Sequence, residues 1–138
     1  VIGAYRNFEL NQMDIVGRPG KAFYVEEEGV PGYDELIVVA NNAKLGEPAL
    51  AAFVDAMEAA TQFAINHPTE AWEMFKGYKQ GLDDELNKRA FRDTLPRFAL
   101  RPAALDTGRY QRFAAFLVDR GLIKDPGNVA DYAVELQR

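Results

Sequence analysis

The chain has no cysteine and one histidine in 138 residues. Without cysteine there is neither a disulfide framework nor a thiolate zinc site, and the redox compartment stays open. Positive charge is in the minority, with 16 basic residues scattered among 21 acidic ones for a formal net charge of −5. A nucleic-acid backbone is bound by a basic stripe, so the balance argues against nucleic acid as a partner. No apolar run approaches the roughly 20 residues that span a bilayer, which reads as a soluble chain. A phosphate-binding glycine loop, a Gly-x-Ser-x-Gly elbow and a His-Glu-x-x-His helix are all missing, so the sequence offers no catalytic residue, metal site or cofactor motif. What is present is 48% hydrophobic and 12% aromatic, enough to fill one core and too apolar for a disordered chain.

The most informative stretch is the opening nonapeptide, Val-Ile-Gly-Ala-Tyr-Arg-Asn-Phe-Glu. Val1 to Ala4 reads as a strand already under way, with no initiator Met and no turn before it. Tyr5, Asn7, Phe8 and Glu9 follow where that strand should end. Ligands in open α/β sheets sit just beyond the carboxyl ends of strands. The expectation is therefore the C-terminal part of a longer protein, with part of a small-molecule site at its start.

An α/β third followed by a helical two-thirds is the expected organisation. A short helix opens at Asn7 or Phe8 and runs through Asn11, Met13 and Ile15 to the loop Gly17-Arg18-Pro19-Gly20. Lys21 to Glu26 is a second strand candidate. Glu28 to Tyr33 is a turn-rich crossing, and Glu35 to Ala40 is the clearest strand, with an unbroken apolar run that implies cover on both faces. Past Asn41-Asn42 the period becomes helical. Pro48 suits a first turn, and Leu50, Phe53, Val54, Met57, Thr61, Ala64 and Ile65 share a face up to Pro68. Asn66 or His67 can cap the next helix, whose apolar side is Ala71, Trp72, Phe75 and Tyr78. Asp83 or Asp84 starts a helix that closes or kinks at Pro96. Another begins near Thr107 and ends at Gly121, a left-handed C-cap with Leu122 placed for its apolar contact. A last helix holds Val129, Tyr132 and Leu136.

Most residues that invite a functional reading have a plainer one. His67 precedes a proline at a helix junction and lacks converging ligands, so it is structural or capping. Glu26-Glu27-Glu28 is a solvated charge run. Trp72 and its aromatic neighbours fall on apolar helical faces and belong to packing. Arg97, Arg101 and Arg109 form surface ion pairs rather than an anion site. The corner from Tyr5 to Glu9 differs, because no helical or strand period demands a carboxylate and an aromatic together there. A ligand presenting an amino group beside a ring nitrogen would satisfy Glu9, and its flat face would suit Tyr5. The alternative makes Glu9 a first-turn acid favoured by the helix dipole, with Tyr5 merely packed. From the residues alone both readings stand.

Four segments carry a resemblance: Val1 to Glu9, Glu27-Glu-Gly-Val-Pro-Gly-Tyr-Asp-Glu-Leu36, Asn66-His-Pro-Thr-Glu-Ala-Trp72 and Leu95-Pro-Arg-Phe-Ala-Leu-Arg-Pro102. Together and in this order they resemble the C-terminal half of thiamine-pyrimidine-precursor binding proteins, the NMT1/THI5-like solute-binding subunits of ABC importers. The resemblance implies a two-lobed periplasmic-binding-protein type II fold, a periplasmic or extracytoplasmic location, and a membrane permease and ATPase as partners. Residues 1–27 would end the second lobe, and residues 28–138 would cross the hinge and return to the first. The implied ligand is a hydroxymethylpyrimidine or formylaminopyrimidine, with Glu9 on its aminopyrimidine edge, Tyr5 on its ring and Asn7 nearby. The N-terminal half is expected as a separate piece, or a second copy of the chain as its cover. Eukaryotic members of the family are enzymes that build the pyrimidine phosphate from pyridoxal phosphate and a histidine of their own. They need a cysteine-rich iron-binding stretch that this sequence lacks, so a non-enzyme is expected, with a ligand-free helical interaction module as the other alternative.

Overall fold

In the computed structural model, which describes residues 3–136, helices begin and end where proline and short polar side chains set them. Helix α1 spans Glu9–Ile15, α2 Pro48–Asn66, α3 Pro68–Tyr78, α4 Glu85–Thr94 and α5 Thr107–Asp119. Three 3-10 turns lie at Asn42–Lys44, Leu95–Arg97 and Val129–Asp131. Asp84 caps α4 by accepting the Asn87 N–H at 2.7 Å, and Asp106 caps α5 through the Arg109 N–H at 2.9 Å. Pro68 occupies the first turn of α3, where its missing N–H costs nothing. His67 stands at the N-cap position of α3 without a side-chain cap; its ring stacks on Phe63 with centroids 4.9 Å apart. Pro96 converts the end of α4 into a 3-10 turn.

All regular structure among the described residues is helical, which overturns the expected α/β class with its few strands and type II binding-protein layout. Of the first strand candidate, Val1 and Ile2 lie outside the described residues, while Gly3 and Ala4 are exposed and irregular. In the second, the Tyr24 and Val25 carbonyls accept the N–H groups of Glu27 and Val30 at 2.9 and 3.0 Å, so the segment closes into a turn. Gly29, at φ 88°, permits that closure. Residues 35–40 form no strand either: a bend at Glu35-Leu36 leads into irregular chain with Leu36 87% and Val39 83% exposed. A strand persists only where a neighbour pairs its N–H and C=O groups, and none of the described residues supplies one. The last predicted helix is also corrected. Asn128 caps Ala130 at 3.2 Å, and a three-residue turn carries the buried Val129.

The chain divides into two compact units, Val1–Ala22 with Asp55–Pro102, and Phe23–Val54 with Ala103–Arg138. In the first, Ala71 of α3 and Ala90 of α4 are buried, and small residues at such points let helices approach closely. Trp72, Phe75 and Phe91 meet beside them at centroid distances of 5.5 to 5.9 Å. α1 joins α4 through polar side chains. Asn7 Nδ2 donates to Thr94 Oγ1 at 2.6 Å, and that hydroxyl donates onward to the Ala90 carbonyl at 2.6 Å. Asn11 Nδ2 bridges the Asn7 carbonyl (3.0 Å) and Asp93 Oδ2 (2.8 Å). Arg89, paired within α4 to Glu85, reaches Asp14 of α1 at 2.6 Å. In the second unit, Ala114 and Val129 are buried, and Tyr33 stacks on Phe113 at 4.8 Å. α5 ends in paired C-terminal hydrogen bonds, Gly121 N–H to the Val118 carbonyl and Leu122 N–H to the Leu117 carbonyl, both 2.9 Å. Leu122 itself stays largely exposed, so the cap holds by its hydrogen bonds more than by the expected apolar contact.

Asn11→Ala is expected to destabilise the first unit by about 1–2 kcal/mol in urea unfolding, since it strips two partly buried hydrogen bonds. Arg92 first, and Asn11 second, hold the Asp93 carboxyl below its ordinary value. A carboxyl depressed on folding stabilises above its unfolded pKa of about 4 and loses that contribution as pH falls through its folded value. The variant should therefore lose less stability than the parent as pH falls below about 4. Gly121→Ala should cost about 1 kcal/mol in thermal unfolding, because φ is 67° and an added Cβ meets nothing within 4 Å, leaving backbone conformation as the whole cost.

Candidate functional site

The polar corner that the sequence singles out is a turn leading into α1. The Tyr5 carbonyl accepts the N–H groups of Phe8 and Glu9, both at 3.0 Å, and Glu9 Oε2 returns to accept the Tyr5 N–H at 2.7 Å. Phe8, at the N-cap position, supplies no side-chain cap, and the Glu9 carboxylate closes the turn before α1 rather than capping a helical N–H. Tyr5 and Glu9 are thus brought together through backbone and carboxylate, with the Tyr5 ring 47% exposed and Glu9 half-buried. Asn7 is turned away from them. Its side-chain amide is spent on Thr94, and its carbonyl receives Asn11.

That arrangement determines what the corner can do chemically. A carboxylate carries about four lone-pair positions. The Tyr5 N–H occupies one of them, on Oε2, and that bond ties the carboxylate to the turn. Sequence reasoning missed Asn11, Asp93 and Thr94, which hold the corner to α4. The available signal was the spacing of Asn7 and Asn11, one helical turn apart with polar side chains on one face.

The second unit holds a cavity of about 340 Å³, lined chiefly by Tyr33, Ile37, Tyr110, Phe113, Leu117 and Tyr132. At its edge Arg109 pairs with Asp34 at 2.5 Å and with Asp106 at 3.7 Å, and hydrogen bonding to Asp34 raises the guanidinium above its ordinary pKa. Burial pushes the Tyr110 phenol up, with the Asp34 charge adding to the shift. Arg109 is thereby an ion-paired residue, as read from the sequence. Arg97 donates to the Asp93 carbonyl. Among the described residues no group of three or more His, Asp or Glu side chains is placed to hold a metal, and no helix is long and apolar enough to cross a membrane.

The sequence profile described as NMT1/THI5 like matches residues 1–71. A Haemophilus influenzae protein whose name attributes it to thiamine biosynthesis is 46% identical over 138 residues, covering 99% of this chain and 44% of its own length. The chain therefore spans somewhat less than half the length of that relative. No solved structure matches it. The matched profile covers the nonapeptide, the crossing and all of α2, reaching the buried Ala71 of α3, and on that ground the chain belongs to the NMT1/THI5-like family.

Proposed function

We propose that this chain is part of the solute-binding component of an ABC importer for a thiamine pyrimidine precursor, a hydroxymethylpyrimidine or formylaminopyrimidine. The observation that carries the reading is the corner itself: an acid held by the Tyr5 N–H through one of its about four lone-pair positions, with the exposed residue Tyr5 in the same turn. Family membership and the thiamine-biosynthesis name of the Haemophilus relative support it. An aminopyrimidine offers an N–H edge to the carboxylate and a flat face to Tyr5. Anionic substrates such as nitrate or sulfonates would meet like charge at Glu9.

The role assigned is binding without chemistry, at an extracytoplasmic location, with delivery to a membrane permease and its ATPase. Glu9 takes the amino edge and Tyr5 the ring. Asn7, engaged with Thr94, contributes by holding the corner in place. The chain spans 44% of the Haemophilus relative's length, so on this reading further ligand contacts come from the rest of such a polypeptide and the 138 residues alone bind weakly.

Calorimetric titration with 4-amino-5-hydroxymethyl-2-methylpyrimidine tests the reading in a polypeptide of full family length. Glu9→Gln is expected to cost roughly 2 kcal/mol, about thirtyfold in Kd, while Asn7→Ala changes stability more than affinity. Stabilisation by nitrate or sulfonates, with none by the pyrimidine, would overturn the assignment of Glu9.

A further inference from the structure

Helix α1 is seven residues long and buries none of them, while α3 and α4 of the same unit bury Ala71 and Ala90 and share an aromatic face. An isolated helix of that length is unstable in water. Three side-chain contacts link it to α4: Asn7 meets Thr94, Asn11 meets Asp93 and Asp14 meets Arg89. Glycines in left-handed backbone stand on either side of the segment, Gly3 at φ 75° and Gly17 at φ 69°. Such positions readily absorb a hinge rotation. The loop beyond packs back on α1 itself, since a Cβ at Gly20 would lie 2.8 Å from Met13 Cε. Glu9 is the first residue of this helix, and its carboxylate holds the Tyr5 N–H. Whatever displaces α1 from α4 therefore carries the corner away with it.

We infer that α1 docks on α4 in a local equilibrium, opening while α3 and α4 stay folded, and that Thr94, Asp93 and Arg89 are positioning residues that set the fraction of molecules with the Tyr5–Glu9 corner in place. As a regulation of the pyrimidine site it rests on the proposed function; the docking equilibrium itself does not. Segments with few buried apolar contacts open below the free energy of global unfolding. Loss of one partly buried hydrogen bond raises such an opening constant by about fivefold, and loss of the exposed Arg89–Asp14 pair by less. A ligand that binds only the docked form has its Kd divided by the docked fraction. While docking is strong, removing one contact loosens α1 and leaves affinity nearly unchanged, which is the behaviour expected of Asn7→Ala. Once the open form predominates, affinity falls with each further loss. Binding in turn holds α1 down, because a ligand selective for one state shifts the equilibrium toward it. Thr94 is the central member. Its hydroxyl accepts from Asn7 and donates to the Ala90 carbonyl, so valine removes both bonds and serine keeps both.

The test is amide exchange by mass spectrometry on a polypeptide of full family length, with and without 4-amino-5-hydroxymethyl-2-methylpyrimidine. The reporters are residues 8–16, where the Gln12 and Val16 N–H groups bond to the Phe8 and Gln12 carbonyls at 2.9 and 3.1 Å. They are expected to exchange about tenfold or more faster than the middle of α3. Thr94→Val should speed them by about fivefold and leave α3 unchanged, while Thr94→Ser matches the parent. Saturating pyrimidine should slow them. By calorimetry Thr94→Val alone should change Kd by less than about twofold, whereas Thr94→Val combined with Asp93→Ala and Arg89→Ala should weaken binding by about fivefold or more. Equal exchange in α1 and α3, or no acceleration in Thr94→Val, would overturn the docking equilibrium. Unchanged affinity in the triple variant, with Glu9→Gln still weakening binding, would overturn the positioning role. If Glu9→Gln also leaves binding unchanged, the pyrimidine assignment falls instead, and the exchange rates alone decide the docking of α1.

Discussion

The seam between α1 and α4 is the constraint on which the candidate site depends. α1 is only seven residues long, too short to persist by its own hydrogen bonds, and it buries no residue. It holds its position because Asn7, Asn11 and Asp14 each find a partner on α4, at Thr94, Asp93 and Arg89. Individually these contacts are worth little, the exposed Arg89–Asp14 pair least of all. Together they fix both the azimuth and the position of α1, because the three residues recur at helical spacing along one face. The Thr94 hydroxyl shows how closely the seam is specified: it accepts from Asn7 while donating to Ala90, so both its roles are filled. With α1 fixed, the Tyr5 to Glu9 turn has a defined place on the first unit.

Apolar burial plays a smaller part than the composition suggests. Among the described residues, Ala71, Ala90, Ala114 and Val129 are the buried hydrophobic ones, and the large aromatics around them remain half-buried or exposed. The aromatic cluster of Trp72, Phe75 and Phe91 gives α3 and α4 a common face. In the second unit α5 carries a comparable role, with Phe113 as the anchor for Tyr33 and Tyr110 facing Tyr132 at 6.2 Å. In each unit the helix boundaries are set locally, by Asp84, Asp106, Pro68 and Gly121, and would form with little help from the rest of the chain.

That locality explains what the sequence disclosed. Pro48 and Pro68 bounded α2, Asp83 or Asp84 announced α4, and Gly121 marked the end of α5, because a cap or a proline acts within one turn of itself. The two strands failed for the converse reason. Lys21 to Glu26 and Glu35 to Ala40 have the apolar patterning of strands, but patterning expresses only a demand for cover and pairing, and the pairing partner is remote in sequence. In this chain Tyr24 and Val25 met the demand with a turn, and Leu36 to Val39 did not meet it. At the candidate site the sequence led to the corner from Tyr5 to Glu9 but not to the hydrogen bond that closes it, from the Tyr5 N–H to the Glu9 carboxylate. The side-chain engagement of Asn7 was not legible, since nothing in its neighbourhood of sequence points to Thr94, 87 positions away.

The two readings of Glu9 left open by the sequence are not exclusive, and the geometry shows why. As a first-turn acid, Glu9 accepts the Tyr5 N–H and so meets part of the hydrogen-bond need of the turn entering α1. That same bond immobilises the carboxylate. A glutamate side chain free in solvent would give up rotamer freedom on binding a ligand, whereas one already tied to backbone has given it up on folding. On the proposed reading, the structural role is therefore what makes the binding role inexpensive in entropy. It also limits that role, because the lone pair committed to Tyr5 is unavailable to a ligand. A planar edge with one strong donor at Oε1 and a second, more oblique donor at Oε2 fits that remaining capacity better than a symmetric two-donor fork approaching both oxygens head-on.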